Sequence, residues 1–297
     1  MLQMVKRLFS IAICLAAMSG CNQLDLAGLV MPTGDGVEKR FEHSQSMQAD
    51  LKVGVVDASA NYMFYVCTDP HINTTYKNLD IFNNSLRNDS EASFGVILGD
   101  CTDTRSNLHT YMSVVRYDAT KHRYDYNIFH VLGNHDLFFN GWYDFRELVG
   151  PSVFWFEVVF PEGKDLYISL DTATGTLGYK QTQWFKSFLA DNRHKYRHCI
   201  ILTHTNFFYT DRTQSSSGNM PLEESLALID FLGEHNVSLV LQGHDHYRED
   251  LTYDDVRYTV IGAIRDEIEA PEYLKVYVGS DKVDLDWQLI TDDAEIN

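Results

Sequence analysis

The stretch Tyr126-Asn127-Ile128-Phe129-His130-Val131-Leu132-Gly133-Asn134-His135-Asp136 passes from an apolar run directly into a polar turn. Tyr126 to Leu132 reads as a strand, because a short run rich in aromatic and β-branched residues and closed by glycine favours a buried, extended chain. The turn then places an amide oxygen, an imidazole and a carboxylate at the carboxyl end of that strand. Open α/β sheets keep their ligand-binding groups there.

The same layout recurs on both sides. Upstream, Tyr62 to Thr68 ends in Asp69-Pro70-His71, and Phe94 to Gly99 ends in Asp100, with Cys101-Thr102-Asp103 behind it. Downstream, Cys199 to Thr203 ends in His204, and Val237 to Gln242 ends in Gly243-His244-Asp245-His246. Pro70 cannot continue a ladder, so the chain turns there, and Asp69 and His71 can face one centre. Asp100 could cap a helix beginning near Thr104, but Asp103 is the more natural cap, which leaves Asp100 without a structural role. Two histidines flanking one residue after a glycine are poor core material.

Between these ends the periodicity is helical. Ile72 to Arg87 reads as a crossover helix, followed by Arg105 to Lys121 with Leu108, Met112 and Val115 on one face. Thr182 to Ala190 is amphipathic, and its Trp184 is a packing residue. A further helix is opened by Pro221, with Asn219 as cap and Glu223 and Glu224 in its first turn. Leu137 to Tyr143 is aromatic and could border a pocket. Phe154 to Phe160 and Leu166 to Leu170 read as paired strands around the turn Pro161 to Asp165. Arg257 to Ile264, Tyr273 to Val278 and Val283 to Leu289 alternate as a meander would, and are expected to close a second sheet. The fold class is therefore α/β with two sheets.

The strand ends supply seven donors: Asp69, His71, Asp100, Asn134, His204, His244 and His246. Oxygen and imidazole without thiolate suit catalytic Mn, Fe or Zn better than a structural zinc. Each residue alone could be a surface or capping group; together, at five strand ends in order, they point to a two-metal hydrolase.

The ordered set Asp-x-His, Gly-Asp, Gly-Asn-His-Asp, His and Gly-His-x-His, running from Asp69 to His246, resembles the calcineurin-like metallophosphoesterases. The resemblance implies a four-layer α/β/β/α sandwich of two mixed sheets flanked by helices. It implies two divalent or trivalent ions: one on Asp69, His71 and His246, one on Asn134, His204 and His244, with Asp100 bridging. His135 would face the phosphate, as transition-state stabiliser or proton donor, and Asp103 would hydrogen-bond His135 and favour its charged form. The expected reaction is in-line attack of hydroxide on a phosphomonoester or phosphodiester, with no phosphoenzyme. Purple acid phosphatases carry a tyrosine ligand three positions after the bridging aspartate, where this chain has Asp103. The two-domain nucleotidases carry a long domain beyond the last motif, which is not expected here. The size and motif layout are most similar to the cyclic-nucleotide phosphodiesterase branch. Arg105 and Arg212 could approach the phosphate, and Phe207, Phe208 and Tyr209 could either stack on a base or pack against the second sheet.

The amino-terminal 20 residues read as a signal: Lys6 and Arg7 precede the apolar run Leu8 to Met18, and Ser19-Gly20-Cys21 follows. Met-Ser-Gly-Cys resembles a bacterial lipoprotein signal, which implies a lipid-modified Cys21 and a place in the cell envelope. Asn22 in the following position suggests the outer membrane. Residues 21–60 are expected to form a membrane-proximal tether with an edge strand around Leu51 to Val56, residues 61–290 the phosphoesterase domain, and 291–297 a tail. Cys67, Cys101 and Cys199 are scattered, which indicates neither a disulfide framework nor a zinc-thiolate site.

The formal net charge of −18, with no basic stripe, argues against sequence-independent nucleic-acid binding. A small phosphorylated substrate, such as a nucleotide, is compatible with that charge when bound cations dominate the local field. Two other classes compete. A lipid-anchored binding protein that retains the fold without catalysis would be favoured by a missing ligand, and none is missing. A serine hydrolase lacks its Gly-x-Ser-x-Gly elbow.

Overall fold

A computed structural model of the chain describes residues 34–116, 127–208 and 219–291. The expected signal, Cys21, the helix beyond Arg116, Tyr126, Tyr209 and Arg212 lie outside the described residues. The elements in chain order are α1 (Val37–Met47), β1 (Lys52–Asp57), β2 (Tyr62–Cys67), α2 (Lys77–Asn88), β3 (Ala92–Ile97), α3 (Leu108–Arg116), β4 (Ile128–His130), α4 (Trp142–Leu148), β5 (Phe154–Phe160), β6 (Gly163–Ser169), α5 (Gly178–Asn192), β7 (Cys199–Leu202), α6 (Leu222–Glu234), β8 (Leu239–Gln242), β9 (Glu249–Tyr253), β10 (Val256–Val260), β11 (Glu272–Val278) and β12 (Val283–Leu289).

Two mixed sheets stack face to face. One has the order β1-β5-β6-β7-β8-β10-β9, the other β12-β11-β2-β3-β4. The strands that precede the donors, β2, β3 and β4 in one sheet and β7 and β8 in the other, run parallel to their neighbours in that set. All five therefore deliver their carboxyl ends to one edge of the sandwich.

Three apolar layers hold the sandwich together. Between the sheets lie Phe64, Val66, Phe94, Val96, Phe156, Tyr167, Ile200, Leu202 and Leu241. Residues Met63, Tyr65 and Cys67 alternate with those of β2 that face inward and instead pack under α2, α3 and α4, against Phe82, Tyr111 and Phe145. Both faces of β2 are thus buried, which is why its sequence is a continuous apolar run and not an alternating one. On the outer face of the seven-stranded sheet, Phe41 of α1, Phe185 and Leu189 of α5 and Leu228 and Leu232 of α6 cover Leu166, Ile168 and Ile201. Each such side chain contributes about 1.5–3 kcal/mol by leaving water. The result is the expected α/β/β/α sandwich.

Four expectations differ from the fold. Residues 37–57 are not only a tether: Lys52–Asp57 is the edge strand, paired parallel to β5, but α1 packs on the body beside α5. Its charge-rich sequence hides one buried face, where the Arg40 guanidinium meets Asp171 through two hydrogen bonds of 2.8 and 2.9 Å with both side chains fully buried. The last strands do not form one meander: β10 pairs with β8 and with β9, whereas β11 and β12 join the β2 sheet. The helix after β3 begins as a 3₁₀ turn at Arg105–Asn107 whose cap is Thr104, so Asp103 caps nothing. Pro221, not Asn219, is the N-cap of α6.

Candidate metal centre

The first donor stands two to four residues beyond the end of each strand, and the chain turns sharply there. Asp69, His71, Asp100, His244 and His246 all have positive φ, between 43° and 72°. Non-glycine residues are uncommon in this left-handed region, and holding one there costs about 1–3 kcal/mol. Five such residues at one sheet edge mean that the surrounding structure imposes the conformation. Part of that structure is the lacing of the loops: Asp69 N–H donates to the Gly99 carbonyl, His71 N–H to the Asp100 carbonyl and Ile72 N–H to the Cys101 carbonyl, at 3.0–3.1 Å. Gly133 makes the approach of β4 possible, because a Cβ there would lie 2.1 Å from the Asp100 nitrogen. Asp136 closes the turn, its two carboxylate oxygens accepting from Gly133 N–H and Cys101 N–H at 2.9 Å each. Burial, reinforced by the neighbouring Asp100, pushes that carboxyl up to about 7.

The two buried carboxylates are each held by one oxygen and left open at the other. Asp69 Oδ2 accepts from the Thr68 hydroxyl at 2.5 Å and from His244 N–H at 3.0 Å. Its Oδ1 lies 3.1 Å from His246 Nε2 and 3.5 Å from His71 Nε2. Asp100 Oδ1 accepts from His135 N–H at 2.7 Å, while its Oδ2 lies 3.5 Å from His71 Nε2 and 3.4 Å from His204 Nε2.

Outer partners decide which imidazole nitrogens face inward with a lone pair. His204 Nδ1–H donates to the Leu98 carbonyl at 2.7 Å, leaving Nε2 beside Asn134 Oδ1 at 3.0 Å and His244 Nδ1 at 3.2 Å. His71 Nδ1–H donates to Asp103 Oδ1 at 2.9 Å, leaving Nε2 at 3.2 Å from His246 Nε2. At His71 and His204, therefore, lone pairs turn toward carboxylate oxygens within two adjoining groups, Asp69-His71-Asp100-His246 and Asp100-His204-His244, and Asp100 belongs to both. Such convergence repels itself unless positive charge sits between the groups. The same preference shows in the titration of these side chains. Burial opposes a charge on His71, yet the Asp103 hydrogen bond and the Asp69 and Asp100 carboxylates raise it to about 10. His204, buried as deeply, rises to about 9 beside Asp100. The donor set fits a pair of metal ions.

With this geometry established, comparison with known proteins gives a direct answer: residues 62–248 match the calcineurin-like phosphoesterase family.

The chain belongs to that family.

Among solved structures, GAP50, the anchor in the inner membrane complex of Plasmodium, is similar at 14% identity, covering 77% of this chain and 84% of that one, with a TM-score of 0.59. A purple acid phosphatase from yellow lupin seeds is similar at 13% identity with a TM-score of 0.58, covering 78% of this chain and 52% of the lupin enzyme, so the chain spans about half that enzyme's length. At such identities these likenesses establish the fold. A search of curated proteins finds no match. In a member of this family, the clustered His and Asp residues form a dinuclear metal-binding site of the kind that supports metal-dependent phosphoester hydrolysis.

All seven expected donors meet at this site. His135 stands beside it, its ring 4.6 Å from that of His71 and its Nε2 4.0 Å from Asp100 Oδ2, with a third of its side chain open to solvent. Asp103 lies within reach of both imidazoles, but its hydrogen bond goes to His71 and not to His135, and burial holds His135 below the ordinary imidazole value despite the nearby Asp100 and Asp103 charges. Arg105 is drawn away to Asp144, which it meets through 2.7 Å and shorter contacts. Phe207 is core and Phe208 packs edge-on against Tyr258 at 4.9 Å, so packing accounts for both. Thr68 and Asp136 do part of the positioning, and neither was among the candidates. Gly-Asn-His-Asp held the clue to Asp136, but nothing local revealed Thr68.

Proposed function

We propose that the protein hydrolyses phosphoric esters at two metal ions, the first held by Asp69, His71 and His246, the second by Asn134, His204 and His244, with Asp100 shared. The observation that carries this reading is the acceptor-to-acceptor convergence around Asp100, whose Oδ2 faces an imidazole of each group. The chemistry a bound pair of ions supplies is neutralisation of the phosphoryl oxygens and a hydroxide available near neutral pH. The chain's own contribution is orientation. Asp103 fixes His71, and the Leu98 carbonyl fixes His204, so that both present Nε2 to the centre. The backbone of His135, tied to Asp100 Oδ1, puts its imidazole on the solvent side of the site. From there it would contact a phosphoryl oxygen and deliver a proton to the leaving alkoxide.

Motif layout supports a small substrate, a mononucleotide or another phosphomonoester or phosphodiester, as in the cyclic-nucleotide phosphodiesterase branch. The composition at residues 6–21 supports a lipoprotein held at the outer membrane through Cys21. The metal is Mn, Fe or Zn, all of which accept this mixture of oxygen and imidazole. The test is hydrolysis of p-nitrophenyl phosphate and bis-p-nitrophenyl phosphate by metal-stripped protein resupplied with each ion, beside Asp100→Asn. Turnover restored by an ion and absent from the variant supports the reading, and the preferred substrate separates monoesterase from diesterase. Failure to bind two ions per chain would refute the ligand set.

A further inference from the structure

Eleven large apolar side chains are exposed among the described residues, Met47, Val55, Tyr253, Tyr277 and Leu289 apart from one another and six that share one edge. Among the described residues, Tyr76, Phe139, Tyr143, Tyr179, Leu222 and Leu226 are each more than a third exposed, with Tyr179 at 73% and Leu222 at 62%. All six lie around the catalytic edge. Tyr76 opens α2, whose next two backbone N–H groups bond Asp266, in the loop tied to Thr68 through Ile264. Phe139 and Tyr143 follow the Asn134-His135 turn directly. Tyr179 opens α5, and Leu222 and Leu226 occupy the first two turns of α6. These two helix starts are joined, since Glu224 accepts from Leu177 N–H at 2.7 Å and from the Thr176 hydroxyl at 3.1 Å. Solvated rims of soluble enzymes have no need of such a concentration.

Two further observations say what covers it. Phe139 and Asn140 have φ of 56° and 62°, so a bulky aromatic is held outward at a cost in backbone strain. The segment before α1 also lies at this edge: Gly34 packs on Trp142 and Tyr143, and Glu38 bonds the backbone N–H of Tyr179. From Cys21 to Gly34 a fully extended chain reaches at most about 45 Å. A folded body of this size is about as wide, so with an anchor at Cys21 this edge is the one brought to the membrane with the least extension of the tether.

We propose that the apolar rim seats on a phospholipid bilayer, so that the metal centre opens toward phosphoesters presented at the lipid–water interface. The proposal rests on the phosphoesterase and lipid-anchor readings above and narrows their substrate class. Tyrosine and leucine of this kind sit at the headgroup level, sinking about 5–10 Å into the boundary.

The test uses the full-length lipidated protein on phosphatidylcholine vesicles, with an environment-sensitive fluorophore attached through Leu226→Cys or, at the far edge, through His194→Cys. The native Cys67, Cys101 and Cys199 are buried and stay unlabelled. The expected result is a label at 226 that is blue-shifted and quenched by brominated lipid, and a label at 194 that is neither. Quenching at 194, or at neither position, overturns the proposal; the second result would return the rim to a protein partner. A catalytic arm compares Tyr179→Ser/Leu222→Ser/Leu226→Ser with the parent. Turnover of phosphatidyl-p-nitrophenol in the vesicles should fall about tenfold, while that of soluble bis-p-nitrophenyl phosphate stays within about twofold. Equal loss on both substrates counts against docking. If neither substrate turns over with any ion, the phosphoesterase reading fails, and the fluorescence still decides the docking.

Discussion

Two buried polar clusters sit at opposite edges of the same sandwich, and they are built on opposite rules. At the far edge, Asp165 accepts from the Tyr62 hydroxyl at 2.9 Å, from Arg197 at 3.0 and 2.5 Å and from His198 N–H at 2.9 Å, joining the two sheets. Every acceptor there meets a donor, and the backbone is ordinary. At the catalytic edge the inner oxygens of Asp69 and Asp100 meet imidazole nitrogens that have already given their protons outward, and the backbone is left-handed. A satisfied buried carboxylate is structural; one held open against its neighbours is waiting for a cation.

If this contrast is right, substitutions at the two edges should fail differently. The largest effect is expected from Asp100→Asn, which removes charge shared by both metal groups. Turnover should fall about 10³-fold or more and metal binding with it, in protein that still folds. A variant that keeps full turnover would break the contrast. Asp165→Ala should do the reverse, costing about 3–5 kcal/mol in urea unfolding by stranding Arg197 and two tyrosines, with kcat of the folded fraction unchanged.

Asp103→Asn sharpens the assignment of Asp103 to His71. Affinity for the metal should drop about 10–100-fold, measured by competition with a chelator. An effect confined to kcat, with metal affinity intact, would return Asp103 to His135.

The smallest effect concerns pH at another satisfied carboxylate. Burial raises the Glu157 carboxyl, but hydrogen bonds from Lys164, Lys52 and Tyr196 outweigh it and bring the group to about 2. Its folded value is depressed, so its contribution is complete above the unfolded value of 4.5 and is lost as the pH falls through about 2. Glu157→Gln should flatten the dependence of stability on pH in that window, read by denaturant unfolding at successive pH values.

Much of this was legible from the chain alone. The donors are polar residues that interrupt apolar runs, and an apolar run shows its burial locally, whatever it later pairs with. Trp184 as packing and the three unpaired cysteines were legible for the same reason. Arg40 was not. An arginine reads as exposed until Asp171, 131 residues away, is known to neutralise it, and without that pair α1 has no visible buried face. The distribution of β10, β11 and β12 between sheets was hidden likewise, since all three alternate and alternation does not name a partner strand.

The sequence by itself determined which residues stand at strand ends, that their donors are oxygen and imidazole, and the order in which the motifs recur. Those properties depend on periodicity and side-chain chemistry over a few residues. Only the tertiary structure decided that Asp103 serves His71, that five donors adopt left-handed backbone, and that six exposed apolar side chains share the catalytic edge. These depend on approaches between segments far apart in the chain, where a single close contact, such as Gly133 on Asp100, selects one arrangement from many that the local pattern allows.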